Sequence, residues 1–471
     1  MARRGSPNLH VRPTRHLLSS SSSGVAVRSD GRHQSSLERV NSPITLYNRL
    51  AGACMLEISA LFITLTALLA YVNYRFIKLP PTIGVMATAL VFSLLLHALA
   101  MLGFPQLERL IESLIGRIDF NHLLMDGMLS FLLFAGALHI NLADLRARRW
   151  AIGLLATAGV LFSTAVIGFG SWWILDLFGM QPPLIYCLLF GALISPTDPI
   201  AVLGIMRSAG APKALETTIV GESLFNDGVA VVVFTVLLGV LARGEAPGAG
   251  EAVWLFVEEA GGGMLLGALL GALTFALLKS IDQYQVEVLL TLALVLGGYT
   301  LATHLHVSGP IAMVVAGLII GNQGRKHAMS AHTRENLDNF WELLDEILNA
   351  VLFVLIGMEL VLLPFSAQYL LIALCVTLLI LATRLAAVGP PALLLRKMGR
   401  ALPNGTVRIL TWGGLRGGIS VALVLALPAS EERNLLLNIT YLVVLFSILV
   451  QGLSIGRLVR QICTRDKATS H

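Results

Sequence analysis

The sequence predicts an all-α polytopic membrane protein with about thirteen transmembrane helices, and three observations lead there. Hydrophobic residues make up 56% of the 471 positions and charged residues only 13%, about half the charged fraction of an ordinary globular domain. Mean hydropathy is +0.78. Stretches apolar enough to cross a hydrocarbon layer of about 30 Å recur along the chain, and what lies between them is too short for a sizeable water-soluble domain.

The first fifty residues differ from the rest. They hold eight Arg, the run Ser19 to Ser23, and only Asp30 and Glu38 as acids. That composition buries too little apolar surface to offset the entropy of ordering, so residues 1–50 read as a disordered or mis-assigned N-terminal tail. Residues 51–463 read as the transmembrane domain and 464–471 as a short cytoplasmic tail. Apolar segments lie at 52–74, 84–104, 122–142, 151–176, 185–206, 215–242, 253–279, 287–305, 308–322, 345–363, 369–396, 406–428 and 433–458. Pro80-Pro81, Pro105 and Pro364 fall between segments, where a missing N–H breaks no helix. Between the ninth and tenth segments, Arg334 to Glu346 carries Leu337, Phe340, Trp341 and Leu344 at helical spacing with acids between them. This predicts an amphipathic helix lying along the membrane surface rather than crossing it.

An odd number of crossings puts the two ends on opposite sides. Alternate loops collect nineteen Lys and Arg on one side and four, Arg109, Arg117, Arg243 and Arg433, on the other, the N-terminal tail left out. The positive-inside bias places the C-terminus in the cytoplasm and the N-terminus outside, across a cell (inner) membrane. The same bias accounts for the net charge of +5 without a nucleic-acid partner. Cys54, Cys187, Cys375 and Cys463 are far apart with no CxxC pair, and read as packing residues. His97 and His139 sit in apolar segments and read the same way.

An ionised side chain near the bilayer centre costs at least about 2.5–3.5 kcal/mol on insertion scales, so such residues need a reason to be there. They concentrate in four places: Asp198 in the fifth segment, Glu222 and Asp227 in the sixth, Arg384 in the eleventh and Arg416 in the twelfth. Glu57, Asp126, Glu258, Glu259 and Glu359 lie nearer segment ends and read as interface or helix-contact residues. The fifth segment runs Ser-Pro-Thr-Asp-Pro, with Pro196 and Pro199 in mid-membrane. Two prolines open a helix there and leave carbonyls free around Thr197 and Asp198. Unwound backbone at the midplane is tolerated where it lines a cavity, and carbonyls beside a carboxylate are oxygen ligands for a small cation.

The sixth segment runs Gly-Glu-Ser-Leu-Phe-Asn-Asp-Gly from Gly221 to Gly228. Ser223 with Asp227, and Glu222 with Asn226, are four apart, so four polar groups make one stripe on a helix. The twelfth runs Trp-Gly-Gly-Leu-Arg-Gly-Gly, in which four glycines around Arg416 permit unwinding and close backbone approach. Two interrupted helices seven segments apart run in opposite directions, as an inverted repeat around a central ion site would place them. Arg384 stays charged, so a buried acid is its natural partner; Glu222 is nominated, leaving Asp198 and Asp227 for ions.

The stretches SPTDPIAV, GESLFNDGVAVV and GGLRGGISVAL, with LHVSGPIAMVVAGLIIGN from Leu305 to Asn322, resemble the sodium/proton antiporters of the monovalent cation:proton antiporter-1 family. The resemblance runs from about residue 50 to 460 and favours the prokaryotic NhaP-type branch, related to the animal Na+/H+ exchangers, because little follows Val459. It implies a homodimer in the lipid bilayer. Each chain would pair a dimerisation domain with a six-helix core containing two crossed, broken helices, and would work by elevator-type alternating access. By matching position it makes Asp227 the essential proton- and cation-exchanging carboxylate and Asn226 its paired asparagine. Asp198, Thr197 and Ser223 become further Na+ contacts, and Glu222 with Arg384 a core ion pair.

Exchange then follows from one competition. A carboxylate desolvated near another acid is costly to leave bare, so it holds either a proton or a metal cation, never both. If the site reorients only when neutralised, inward proton flow drives cations outward, and no GxxxxGK[ST] phosphate loop is present to suggest nucleotide energy. The expectation is a secondary transporter, not an enzyme, with no cofactor beyond the transported Na+ (or Li+) and H+. Because Asn226 cannot titrate, exchange is expected to be one for one and electroneutral. Alternatives are a K+/H+ antiporter, a Na+-coupled solute symporter, and an intramembrane aspartyl protease built on Asp198 and Asp227. The protease reading lacks the Tyr-Asp and Gly-x-Gly-Asp sequences expected at those places.

Overall fold

Segments with no water to bond to must satisfy their backbone internally, and a helix does so locally. In a computed structural model describing residues 59–102, 127–199, 202–203, 206, 211–244, 249–325, 328–359, 366–398 and 405–469, the secondary structure is helical. The one departure among the described residues is an isolated antiparallel bridge between Asp198 and Leu415. The expected tail, together with Cys54, Glu57, Pro105, Asp126 and Pro364, lies outside the described residues.

In chain order the helices are α1 (Ser59–Ile77), α2 (Pro81–Met101), α3 (Leu129–Leu138), α4 (Leu142–Ala147), α5 (Arg149–Leu177), α6 (Leu184–Ile194) and α7 (Lys213–Arg243). They continue with α8 (Ala249–Leu278), α9 (Tyr284–His304), α10 (Gly309–Ile319), α11 (Ala331–Glu359), α12 (Ala367–Lys397), α13 (Thr406–Trp412), α14 (Gly418–Leu425), α15 (Glu431–Phe446) and α16 (Leu453–Thr469). Among the described residues, seven helical stretches are long and apolar enough to span a bilayer: α1, α5, α7, α8 from Val253, α9, α12, and α15 running on into α16. Each of the thirteen expected segments has a helical counterpart. Their outward surfaces carry large apolar side chains such as Leu269, Leu273, Leu370 and Leu378. Such a surface is a liability in water and the required one in lipid.

Local chemistry sets the ends. Pro81 opens α2, where its missing N–H has no partner to lose. Ser308 caps α10 by accepting from the Ile311 amide at 3.4 Å, with Pro310 in the first turn, and this accounts for the Ser-Gly-Pro of that segment. Ser366 and Ser430 cap α12 and α15 in the same way. Helix α16 runs through Thr469.

The expected surface helix at Arg334 to Glu346 is not one. It is the first half of α11, continuous with the tenth segment, and its apolar stripe is buried in protein rather than laid on a membrane. Leu337 and Trp341 are fully buried, and Phe340 and Leu344 pack on the same cluster. The Trp341 ring lies 4.7 Å from that of Phe134, and its Nε1 donates to Thr291 Oγ1 at 3.1 Å. Neither Gly nor Pro occurs between Ala331 and Ile356, so nothing in the chain separates the two halves.

Two large buried clusters form among the described residues. One joins α4, α5, α6, α7, α12, α14 and α15; the other joins α8, α9 and α11; α3 and α10 contribute to both. Between them opens a cavity of about 1200 Å³ lined by α3, α7, α11 and α14.

Candidate cation site

Prolines and glycines interrupt two helices where the sequence places them. Helix α6 stops at Ile194, and α13 and α14 are separated by Gly413 to Gly417. The two unwound stretches cross in contact, the Asp198 amide donating to the Leu415 carbonyl at 2.8 Å. Glycine is needed at this crossing, because a Cβ on Gly417 would stand 2.5 Å from Asp198 Oδ2 and 3.0 Å from its Cβ. Asp198 thus lies beside the N-terminal end of α14, where unpaired amides favour a negative charge.

The carbonyls released by the break in α6 receive the fixed cation of the other interrupted segment. Arg416 Nη1 donates to the carbonyls of Ser195 at 2.5 Å and Pro196 at 2.8 Å, while its backbone amide donates to Ser447 Oγ at 2.9 Å. Its side chain is buried, with Nε lacking a hydrogen-bond partner.

Helix α7 carries the polar stripe, which serves two purposes. Glu222 forms a two-pronged ion pair with Arg384: Nη1 donates to Oε1 at 2.8 Å and Nη2 to Oε2 at 2.7 Å. Arg384 Nε also donates to the Leu410 carbonyl at 3.2 Å, so the pair ties α7 to α12 and α13. Asn226 Nδ2 donates to Glu222 Oε1 and to Thr197 Oγ1, each at 2.9 Å, and its Oδ1 accepts from the Thr197 amide at 3.4 Å. The Thr197 and Ser223 hydroxyls are 3.1 Å apart. Asn226 is therefore a strut between the unwound stretch and the ion pair, its amide fully engaged.

Asp227 is the exception on the stripe. It is 8% exposed, no described residue donates a hydrogen bond to it, and it lines the 1200 Å³ cavity together with Thr197, Asp198, Gly417 and Ser420. Asp227 stands within electrostatic reach of Asp198 and Glu222. The expected residues thus divide. Asp227, Asp198 and Thr197 line the cavity; Ser223 and Asn226 sit behind Thr197; and Glu222, Arg384 and Arg416 are buried in support. Asp144, Lys213, Arg325 and Arg334 also line the cavity, and they belong to the side of the chain with the basic loops.

Three groups escaped the sequence reading. Asp345, on α11, lines the same cavity, although by sequence its segment reads as a surface helix. Glu287, in the first turn of α9, is fully buried with both carboxyl oxygens lacking hydrogen-bond partners. His139, read as a packing residue, is exposed at the cavity wall, with Nδ1 2.9 Å from the Ala135 carbonyl. Of the cysteines, Cys187 is buried and Cys375 half-buried, both as free thiols.

The model of the transmembrane sodium/hydrogen exchanger family matches residues 63–461. The chain belongs to that family. The Na(+)/H(+) antiporter NhaP of Pseudomonas aeruginosa is 63% identical over 411 residues, which cover 87% of this chain and 97% of the relative. The Na(+)/H(+) antiporter NhaH of Halobacillus dabanensis is 38% identical over 313 residues, 65% of this chain and 75% of the relative. Among solved structures, the sodium proton antiporter MjNhaP1 of Methanocaldococcus jannaschii shares the fold. The TM-score is 0.66 at 18% identity, over 87% of this chain and 98% of that one. Family membership and the apolar helices together make this a multi-pass membrane protein.

Within this exchanger fold the Glu222–Arg384 pair is a structural element whose loss has a definite sign. Removing one partner strands a buried charge, at a cost of about 3–5 kcal/mol, whereas removing both strands neither. Thermal unfolding of detergent-solubilised Arg384→Met, Glu222→Gln and the double variant should show the singles strongly destabilised and the double less so than their sum. Strict additivity would mean that the pair does not carry the coupling.

Proposed function

We propose that this chain exchanges Na+, and Li+ with it, for H+ across the inner membrane, one for one, by alternating exposure of Asp227. The observation that carries the reading is the difference between Asp227 and its neighbours. Every other charge at the crossing for which hydrogen bonds are described has a fixed partner of its own: Glu222 has Arg384, and Arg416 has the freed carbonyls. Asp227 faces the cavity with no donor from a described residue. A desolvated carboxylate in that position is neutralised by whatever the cavity supplies, and a proton and an alkali cation exclude each other there.

The oxygens of Asp227, Asp198, Thr197 and Ser223 form the cation set in this reading. Asn226 braces Thr197 and Ser223 is in contact with its hydroxyl, so the hard oxygen ligands that alkali ions prefer are held by a network. Glu222, Arg384, Arg416 and Asn226 support the site without binding the ion. We infer thirteen crossings within a transmembrane domain of residues 51–463, with the N-terminus outside and the C-terminus in the cytoplasm. The cavity would then open to the cytoplasm, because residues of the basic loops are part of its lining. A homodimer in the bilayer completes the reading, with no nucleic-acid partner, no enzymatic reaction, and no cofactor beyond the transported ions.

Two results test it. Asp227→Asn keeps the shape and removes the charge. Reconstituted in liposomes with a pH dye, it should lose Na+-driven proton movement by at least about a hundredfold, since a site that never needs neutralising has nothing to exchange. Its unfolding temperature should stay close to that of the wild type, and retained flux would identify a different exchanging carboxylate. Secondly, an imposed potential of about 100 mV acts on a net transported charge with about 2.3 kcal/mol. Wild-type exchange should vary less than about twofold across that range, because Asn226 adds no second titrating group; a steep voltage dependence would contradict one-for-one exchange.

A further inference from the structure

Helix α11 packs against α2, α3 and α9 and touches α14, so it stands across the cavity from the unwound stretch that holds Asp198. The polar edge of its first half carries Glu342, Asp345 and Glu346, and all three line the cavity. Asp345 is the half-buried member, within electrostatic reach of Asp198. Asn349, buried one turn further on and also lining the cavity, donates from Nδ2 to the Asp345 carbonyl at 2.8 Å.

The basic groups at the mouth are engaged elsewhere. Arg325 pairs with Asp338, Arg334 donates to the Arg325 carbonyl, and Lys213 lies 3.3 Å from Asp144. No described residue forms an ion pair with Asp345. On the lining of the same space Asp227, more than nine-tenths buried, has no described donor. The cavity lining holds seven carboxyl groups against three Lys and Arg, and a low-dielectric cleft with an excess of one sign of charge concentrates counter-ions.

We propose that Asp345 is a cation-capturing residue of the transport path. It holds an alkali cation in the vestibule and passes it to Asp198 and Asp227. The inference rests on the antiport reading and adds a sidedness to it. Asp345 shares with the site a cavity whose lining includes residues of the basic loops, so it serves capture from that face and has no part in capture from the other.

The test is Asp345→Asn, compared with Asp345→Glu and with Glu335→Gln, an exposed acid of the same helix that does not line the cavity. Everted membrane vesicles present the basic-loop face to added Na+, and right-side-out vesicles present the other. In everted vesicles at low ionic strength, Asp345→Asn should raise the KM for Na+ by about five- to tenfold with the maximal rate retained. In right-side-out vesicles its KM should equal that of the wild type. Raising ionic strength with choline chloride from about 0.01 M to about 1 M shortens the screening length from about 30 Å to about 3 Å, and should shrink the difference. Asp345→Glu should restore the wild-type KM, and Glu335→Gln should never depart from it. An unchanged KM on the basic-loop face, an equal rise on both faces, or a loss of maximal rate alone would overturn the proposal while leaving antiport intact. Absence of Na+-dependent proton movement in the wild type would overturn the antiport reading itself.

Discussion

A charge taken out of water into the middle of a bilayer is stable only with something opposite it. At the crossing of the two interrupted helices that requirement is met unevenly. Glu222 receives three donors, two from Arg384 and one from Asn226. The carbonyls of Ser195 and Pro196 receive Arg416. Asp227, one residue past Asn226 on the same helix, receives none from a described residue. Permanent compensation around it is what allows the crossing to exist in lipid, and at Asp227 no described residue supplies it.

The fold keeps these charges at fixed separations. The Asp198–Leu415 bridge fastens the two unwound stretches backbone to backbone, an approach that Gly417 permits because any side chain there would meet the Asp198 carboxylate. Arg384 reaches from α12 to α7 and to the Leu410 carbonyl, so the ion pair also holds α13 in register. On the opposite wall, Asn322 accepts from the Leu142 amide at 2.7 Å and donates to the Ile140 carbonyl at 2.9 Å, closing the end of α3 against α10. The backbones approach so closely there that a Cβ on Gly321 would overlap the Leu138 carbonyl.

The fold class and the centre of the site were legible because lipid makes them improbable by chance. Prolines on either side of Asp198, two acids five residues apart on α7 and an arginine among four glycines each violate the apolar rule, and each violation falls at the crossing. The nomination of Glu222 for Arg384 rested on charge alone, and the structure brings those two side chains together. What stayed hidden had ordinary local chemistry. Acids interleaved with apolar residues along α11 look the same whether they face solvent or a vestibule, so Asp345 passed as part of a solvated face. The continuity of α11 was readable from the absence of Gly and Pro and was overridden by the strength of its amphipathic pattern. Glu287 sits at a segment end, where an acid raises no question until burial is known. Asn322 bridges to residues about 180 positions away, and nothing local announces that.

Competition between proton and cation for one carboxylate is tested most directly by the Na+ dependence of exchange at several values of pH, on the face where the cavity opens. With one shared site, each tenfold rise in proton concentration should raise the apparent KM for Na+ by up to about tenfold once protons occupy most sites, while the rate extrapolated to saturating Na+ is unchanged. A KM independent of pH, with protons altering only the maximal rate, would mean that the two ions bind at separate places and would contradict the role assigned to Asp227.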